Sequence, residues 1–366
     1  MPWLCKNRSM RTLSRRAWVT GVALAPQMAA GQIVRLPKKV RLALIGLEGH
    51  IGEILDPMDR LPDLQLVAIQ DPDPRLVGHI AEGKHGAGVR RYSDWRELLN
   101  RETLDMVGVC GANGERAAII IECAKRKIHI VAEKPLAIMV ADLDRIRQAV
   151  AESGIHLTML ISMRFEARYR AMKQIVEAGE IGEVAQIAAQ KSYKLGERAE
   201  WMRNRTTYGG TIPFIGVHMV DLMRFTSGRE LVEAVSFEGR VGYSELRDME
   251  NTTATIFQLD NRGTATLHMD YLRPDTASSW GDDRLRIAGT RGVVEYQAAT
   301  GVTLITDARA PREVSNLPPE GSLFLDFIEA LYHGVPAGLS LADIYRVNEI
   351  VLAARESADR HQIIRL

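Results

Sequence analysis

From Val40 onward the chain alternates short, continuous β-rich runs with amphipathic helical stretches, and no other feature constrains the fold as much. The runs are VRLALI (40–45), LQLVAI (64–69), GVRRY (88–92), LDMVGV (104–109), KIHIVA (127–132) and IHLTML (155–160). Most are apolar without alternation, which marks strands covered on both faces, as in a doubly wound parallel sheet. Between them, segments 94–100, 115–126 and 141–153 carry helical spacing; in the last, Leu143, Ile146, Ala149 and Val150 share a face. Residues 40–160 therefore read as one α/β domain.

Beyond residue 160 the texture changes. A helix over 166–178 stops at Gly179, and longer alternating strands follow. TTATIFQL (252–259) and GTATLHMDYL (263–272), separated by Asp260, Asn261 and Arg262, predict a hairpin. Two helices, 323–332 and 341–357, close the chain. Residues 161–366 are thus expected to form an α+β domain with a large, mostly antiparallel open sheet. Its one-sided alternation leaves a face for solvent or for a second subunit. Two domains suit 366 residues. With 46% apolar and 25% charged residues, disorder is excluded. Lys plus Arg (47) balances Asp plus Glu (46), which gives no electrostatic case for a nucleic-acid partner.

The balance is uneven along the chain. Lys6, Arg8, Arg11, Arg15 and Arg16 precede the first acidic residue, Glu48, and nothing between Ala17 and Val34 is charged. A basic region, an apolar region and the small residues Ala29-Ala30-Gly31 have the order of an export signal, and Ser14-Arg15-Arg16 suits the twin-arginine type. Residues 1–31 are expected to be that signal and 32–39 a linker, placing the mature protein in the periplasm with no stable membrane insertion. A basic arm on a cytoplasmic protein is the alternative. Cys5 lies in the signal, while Cys110 and Cys123 read as small buried hydrophobes. No Cys or His spacing suggests a metal site.

Directly after the first strand comes Gly46-Leu47-Glu48-Gly49-His50-Ile51-Gly52. Glycines between a strand and a helix let a backbone approach a pyrophosphate at the helix N-terminus. The spacing departs from the usual fingerprint, with Glu48 where its second glycine is expected. Asp71, at the end of the second strand, suits the adenosine ribose hydroxyls and favours NAD over NADP. Ala132-Glu133-Lys134-Pro135 follows the fifth strand, and a lysine at that carboxyl end faces the ligand crevice.

These features, with VAIQDPDPR (67–75), VAEKP (131–135), MRFEARYRAMKQIVEAGEIGEV (163–184), GGTIPFIGVHMVDLMRFTSG (209–228) and GDDRLRIAGTRGVVE (281–295), resemble the glucose–fructose oxidoreductase, inositol dehydrogenase and rhizopine-catabolism (Gfo/Idh/MocA) family. The resemblance implies a Rossmann domain, an NAD(P)-dependent oxidoreductase acting on a sugar, polyol or related hydroxyl compound, and a homodimer or homotetramer. It implies that Lys134 lies beside the nicotinamide and bonds the substrate hydroxyl, and that His218 accepts its proton. Asp221 is a candidate to orient that imidazole. Arg164 and Tyr193 are substrate-side candidates, with a domain-holding salt bridge as the other reading of Arg164. The cofactor set it implies is Gly46, Glu48, Gly49, His50, Ile51, Gly52, Asp71, Cys110, Gly111, Asn113, Glu133 and Lys134. Relatives carry an aspartate four residues before the histidine, where this chain has Phe214. Asp221, Tyr193, Asp282 and Asp283 are all open as substitutes. Arg116 likewise replaces a common histidine. Two other reactions or roles stay open: glycoside cleavage by transient oxidation, and sugar binding without catalysis.

Overall fold

The computed structural model describes residues 32–366; the signal expected over 1–31 lies outside the described residues. The first layer alternates strand and helix: β1 (Val40–Ile45), α1 (Gly52–Leu55), β2 (Leu64–Gln70), α2 (Pro74–Glu82), β3 (Arg90–Tyr92), α3 (Trp95–Arg101), β4 (Met106–Val109), α4 (Asn113–Lys125), β5 (His129–Ala132), α5 (Val140–Ser153) and β6 (Leu157–Met159). The strands form a parallel sheet of order β3-β2-β1-β4-β5-β6. Side chains of β1 and β4 are buried on both faces, which explains their uninterrupted apolar sequence. Local chemistry sets the helix ends. Asp73 and Asp94 accept from the Arg75 and Arg96 amides (2.8 and 2.6 Å), capping α2 and α3, and Gly154 ends α5 in the left-handed region.

The remainder contains α6 (Ala167–Glu177), β7 (Val184–Lys194), α7 (Arg205–Tyr208), α8 (Thr211–Ser227), β8 (Leu231–Gly239), β9 (Thr252–Leu259), β10 (Thr264–Arg273), β11 (Gly281–Gly289), β12 (Gly292–Gln297), β13 (Gly301–Thr306), β14 (Arg309–Glu313), α9 (Leu323–His333), α10 (Leu341–Arg360) and β15 (Ile364–Arg365). Its nine-stranded sheet runs β14-β13-β12-β11-β7-β10-β9-β8-β15. Only β7 and β10 pair in parallel, so the expectation of a mostly antiparallel sheet is met, and β9–β10 is the expected hairpin. Helices α6, α8 and α10 cover one face. The other leaves Phe237, Ile256 and Leu272 about half exposed or more (64, 54 and 48%).

His218 is an interior residue of α8. That helix is apolar nearly all round because the sheet, α6 and α10 enclose it. Side-chain bonds from α10 to the Rossmann half fix the two halves together. Asn348 accepts from the Leu136 amide (2.9 Å), and Arg355 donates to the carbonyls of Ile138 (2.6 Å) and Gly209 (2.8 Å).

Candidate active site

The strand order reverses between β1 and β4, and their carboxyl ends open the crevice where ligands of such sheets bind. Gly46 there has φ +76°, and a Cβ on it would land on the backbone of Gly111 at the end of β4. Gly49, at φ +69°, sits so close to the Glu133 carboxylate that a Cβ has no room. The two positions demand glycine and leave a flat floor of backbone, the surface a dinucleotide needs. Ile51 and Gly52 carry that floor into α1.

Asp71 is buried at the end of β2, accepting from the amides of Leu47 and Asp73 (both 2.8 Å), which holds its carboxylate beside the turn. Glu48 turns outward to accept from the Trp201 indole at 2.8 Å, and burial pushes its carboxyl up. The Glu133 carboxylate receives the His50 amide (2.8 Å), the His50 ring and the Lys134 amide (2.5 Å). Burial works against its charge, but His50, Lys134 and Arg116 outweigh that and hold it at about 2. Cys110 is buried, with its amide bonded to Ile45, and burial pushes its thiol far up. Asn113 gives its amide to the Tyr208 carbonyl (2.8 Å) and accepts from Arg116 (2.9 Å).

Lys134 leaves β5 into the space between the two halves, 5% exposed, where its Nζ donates to the Phe214 carbonyl (3.0 Å) and lies 3.5 Å from the centroid of that ring. Burial lowers its ammonium to about 8, with Arg116, Lys191 and Arg198 adding to the effect and Glu133 opposing it. His218, also 5% exposed, meets the His50 ring edge-on at 5.7 Å. Its Nδ1 is buried without a partner. Burial, then Lys191, Lys134 and His50, push the imidazole well below the usual histidine range.

Two side chains expected in the site are elsewhere. Asp221 forms a buried bidentate pair with Arg164 (Nε–Oδ2 2.9 Å), which also donates to the Gly338 carbonyl and approaches Asp343. Residues three apart on a helix lie only about 60° apart, so it is this ion pair, and not the helix turn, that engages the carboxylate and leaves the imidazole without it. Asp221 therefore does not orient the imidazole. Arg164 makes a salt bridge, but one within the second half rather than the domain-holding one expected, since Asp221, Gly338 and Asp343 all belong to residues 161–366. Among the substitutes for the missing aspartate, Asp282 lies on the open sheet face with Gln190 and Arg284. Asp283 points inward and pairs with Lys191 (2.8 Å). Tyr193 is inward too, with the Lys191 ammonium 5.1 Å from its ring centroid and Tyr271 stacked on it.

The sequence reading missed Lys191, Arg198 and an aromatic wall. Phe214, Trp201 and Tyr208 pack within 5.2–6.2 Å of one another, and Tyr208 bonds Tyr271 through their hydroxyls (3.0 Å). Arg198 lies on Tyr271 and Trp280 (4.3 and 5.6 Å). Lys191 was detectable: it falls on the same strand face as Ile187 and Ala189, where a charge is out of place. Arg198 and Trp201 sit in a loop whose sequence carries no periodic signal.

A doubly wound domain with a glycine floor, an acid after β2 and a lysine after β5, joined to an open-sheet domain, defines an NAD-dependent oxidoreductase. Residues 40–160 match the profile of the oxidoreductase family with an NAD-binding Rossmann fold, and residues 169–295 that of the GFO/IDH/MocA C-terminal domain. The myo-inositol 2-dehydrogenase of Thermotoga maritima is 30% identical over 276 residues, 75% of this chain and 80% of that one. A Bacillus subtilis scyllo-inositol 2-dehydrogenase (NAD(+)) is 24% identical, over 70% and 73% of the two chains. The solved structure of a Thermotoga maritima oxidoreductase superposes with a TM-score of 0.84 at 31% identity, covering 89% of this chain and all of that one. The Caulobacter crescentus aldose-aldose oxidoreductase shares the fold, with a TM-score of 0.74 at 22% identity over 90% and 100% of the chains. The chain belongs to the Gfo/Idh/MocA family.

Proposed function

We propose that this enzyme oxidises a secondary hydroxyl of a sugar or polyol, with Lys134 holding the reacting oxygen and His218 taking its proton. The observation that carries the reading is the placement of a buried ammonium and a buried, partnerless imidazole at the same crevice, at the end of β5 and on α8. NAD, when bound on the glycine floor, supplies the acceptor for the hydride that leaves the same carbon. Lys134, with its proton held to about pH 8, stabilises charge developing on the oxygen at neutral pH. His218, kept neutral by its surroundings, is free to accept the hydroxyl proton. The partly exposed Phe214 and Tyr193, backed by the buried Tyr208 and Tyr271, give a sugar ring an apolar face to lie against. The relatives named for inositol oxidation support a polyol or sugar as substrate. The test is NADH formation, followed by absorbance, across polyols, aldoses and their acids; NAD binding with no oxidation of any of them overturns the reading.

The twin-arginine-type sequence at residues 14–16 supports export to the periplasm of a folded chain that carries NAD with it. Fractionation of cells expressing the full chain tests this. The exposed Phe237, Ile256 and Leu272 on the open sheet support pairing through that face, to be measured by light scattering.

A further inference from the structure

Resting on the dehydrogenase reading, we propose that the substrate is an acidic sugar or hydroxy acid, whose carboxylate is held by Arg198 while its reacting hydroxyl lies between Lys134 and His218. The ionisable groups that act on His218 are Lys191, Lys134 and His50, without a carboxylate among them. Those acting on Lys134 are Glu133, Arg116, Lys191 and Arg198. Glu133 is engaged by His50 and the Lys134 amide, and Asp283 by Lys191, so each of those carboxylates already has a partner. Lys134 shares Glu133 with His50 and Arg116, and Arg198 has no acidic partner among the described residues. Phe214 stands beneath Lys134 and supplies a ring face where a carboxylate would supply a full charge. A cleft where Lys134, Lys191, Arg116 and Arg198 outnumber Glu133 and Asp283 is suited to an anion that arrives with the substrate.

The position of Arg198 says which part of the substrate bears the charge. Its guanidinium rests flat on Tyr271 and Trp280, and one Nη donates to the Lys194 carbonyl (2.7 Å). Its Nε is buried and has no partner. A planar cation fixed by stacking, with an unused N–H edge, suits the two coplanar oxygens of a carboxylate. From Tyr271 the wall continues through the Tyr208 hydroxyl (3.0 Å) to the Phe214 ring (5.2 Å from that of Tyr208), where Lys134 lies. Arg198 is near enough for its charge to act on Lys134, so one sugar ring between them, against Phe214 and Tyr193, places its acid end at Arg198 and another of its carbons at Lys134. The unpartnered Asp283 Oδ1, beside Lys191, remains to accept from a neighbouring hydroxyl.

The test uses matched probes on the NAD-loaded enzyme: D-glucuronate, D-galacturonate and D-gluconate against D-glucose, D-galactose and myo-inositol, with D-glucose 6-phosphate as the other anion. Each is assayed for NADH formation and titrated calorimetrically into the NADH-saturated protein. The expected result is that at least one carboxylate binds and reacts with kcat/KM about tenfold or more above its neutral counterpart. In R198M that selectivity falls towards one, mainly through KM, and R198K recovers part of it, as loss of a carboxylate anchor requires. An unchanged NAD affinity shows that the variants fold. Neutral sugars reacting as well as the acids, preference for the phosphate, or selectivity unmoved in R198M each overturns the proposal and leaves the dehydrogenase reading standing. NAD binding without oxidation of any probe removes both.

Discussion

The Lys134 ammonium sits on the face of the Phe214 ring, 3.5 Å from its centroid, and donates to the carbonyl of the same residue. One residue of α8 thus meets the lysine twice, once through backbone and once through π-electrons. Neither contact titrates, so the protonation of Lys134 is set by burial and neighbouring charges. Activity should fall as the pH rises through about 8, where Lys134 loses its proton, and hold steady through neutrality because His218 protonates only well below its usual range. In F214D the new carboxylate favours both charged forms, so both limbs of the kcat/KM profile move to higher pH. An F214D profile superposing on the wild type would sink this account of the site.

Removing the ammonium or the imidazole should act on turnover rather than on cofactor. K134M and H218Q are each expected to lower kcat by roughly 10²–10⁴-fold, the usual range for acid–base and electrostatic groups. NADH affinity, read by protein fluorescence, should stay within about threefold of wild type, because the glycine floor and Asp71 are untouched.

The Glu48–Trp201 hydrogen bond ties the dinucleotide turn to the loop before α7. W201F keeps an aromatic against Phe214 and Tyr208 but loses the donor. NADH is expected to leave the variant several-fold faster, with little change in its association rate. Stopped-flow displacement measures both; equal dissociation rates would show that the bond does not restrain the cofactor.

Asp71 holds the Leu47 amide at the turn and lies where the adenosine ribose is expected. D71A should raise KM for NAD about tenfold and narrow the preference over NADP, because the carboxylate that repels a 2′-phosphate is gone. Steady-state kinetics with both nucleotides decide it, and an unaltered NAD/NADP ratio counts against a role in selection.

The Arg164–Asp221 pair is 4% and 1% exposed at its side chains. Burial opposes the Arg164 charge, and the Asp221 and Asp343 carboxylates more than restore it. R164M strands a buried carboxylate and should cost about 3–5 kcal/mol, while R164M with D221L recovers most of that loss. Urea midpoints of the three variants test it; a double variant as weak as the single one contradicts the pairing.

The parallel sheet was legible because β1, β4 and β5 are largely apolar on both faces and separated by helical segments. Lys134 was legible for the same reason, since a strand end fixes where the next side chain points. His218 was found from its surrounding string, yet its place inside α8 was hidden: a helix buried on all sides has no polar face to mark its register. Asp221 misled because its partner, Arg164, comes from 57 positions back in the chain, a long-range pairing that helical spacing does not reveal. Arg198 and Trp201 depend on how a loop folds back over the crevice, a long-range arrangement that local sequence does not encode. Lys191 could have been placed from alternation along β7 alone.

Arg116, buried at 2% exposure, spans the carbonyls of Gly111 after β4 (2.7 Å) and Pro135 after β5 (2.6 Å), and holds the Asn113 side chain on the way. It is a strut of fixed length between two neighbouring strand ends. The gap that receives the reactive end of a dinucleotide is then set by a side chain and not by the twist of the sheet. A shorter residue at 116 would let that gap narrow and carry the backbone of Lys134 with it, so the reach of the lysine is determined from the opposite wall.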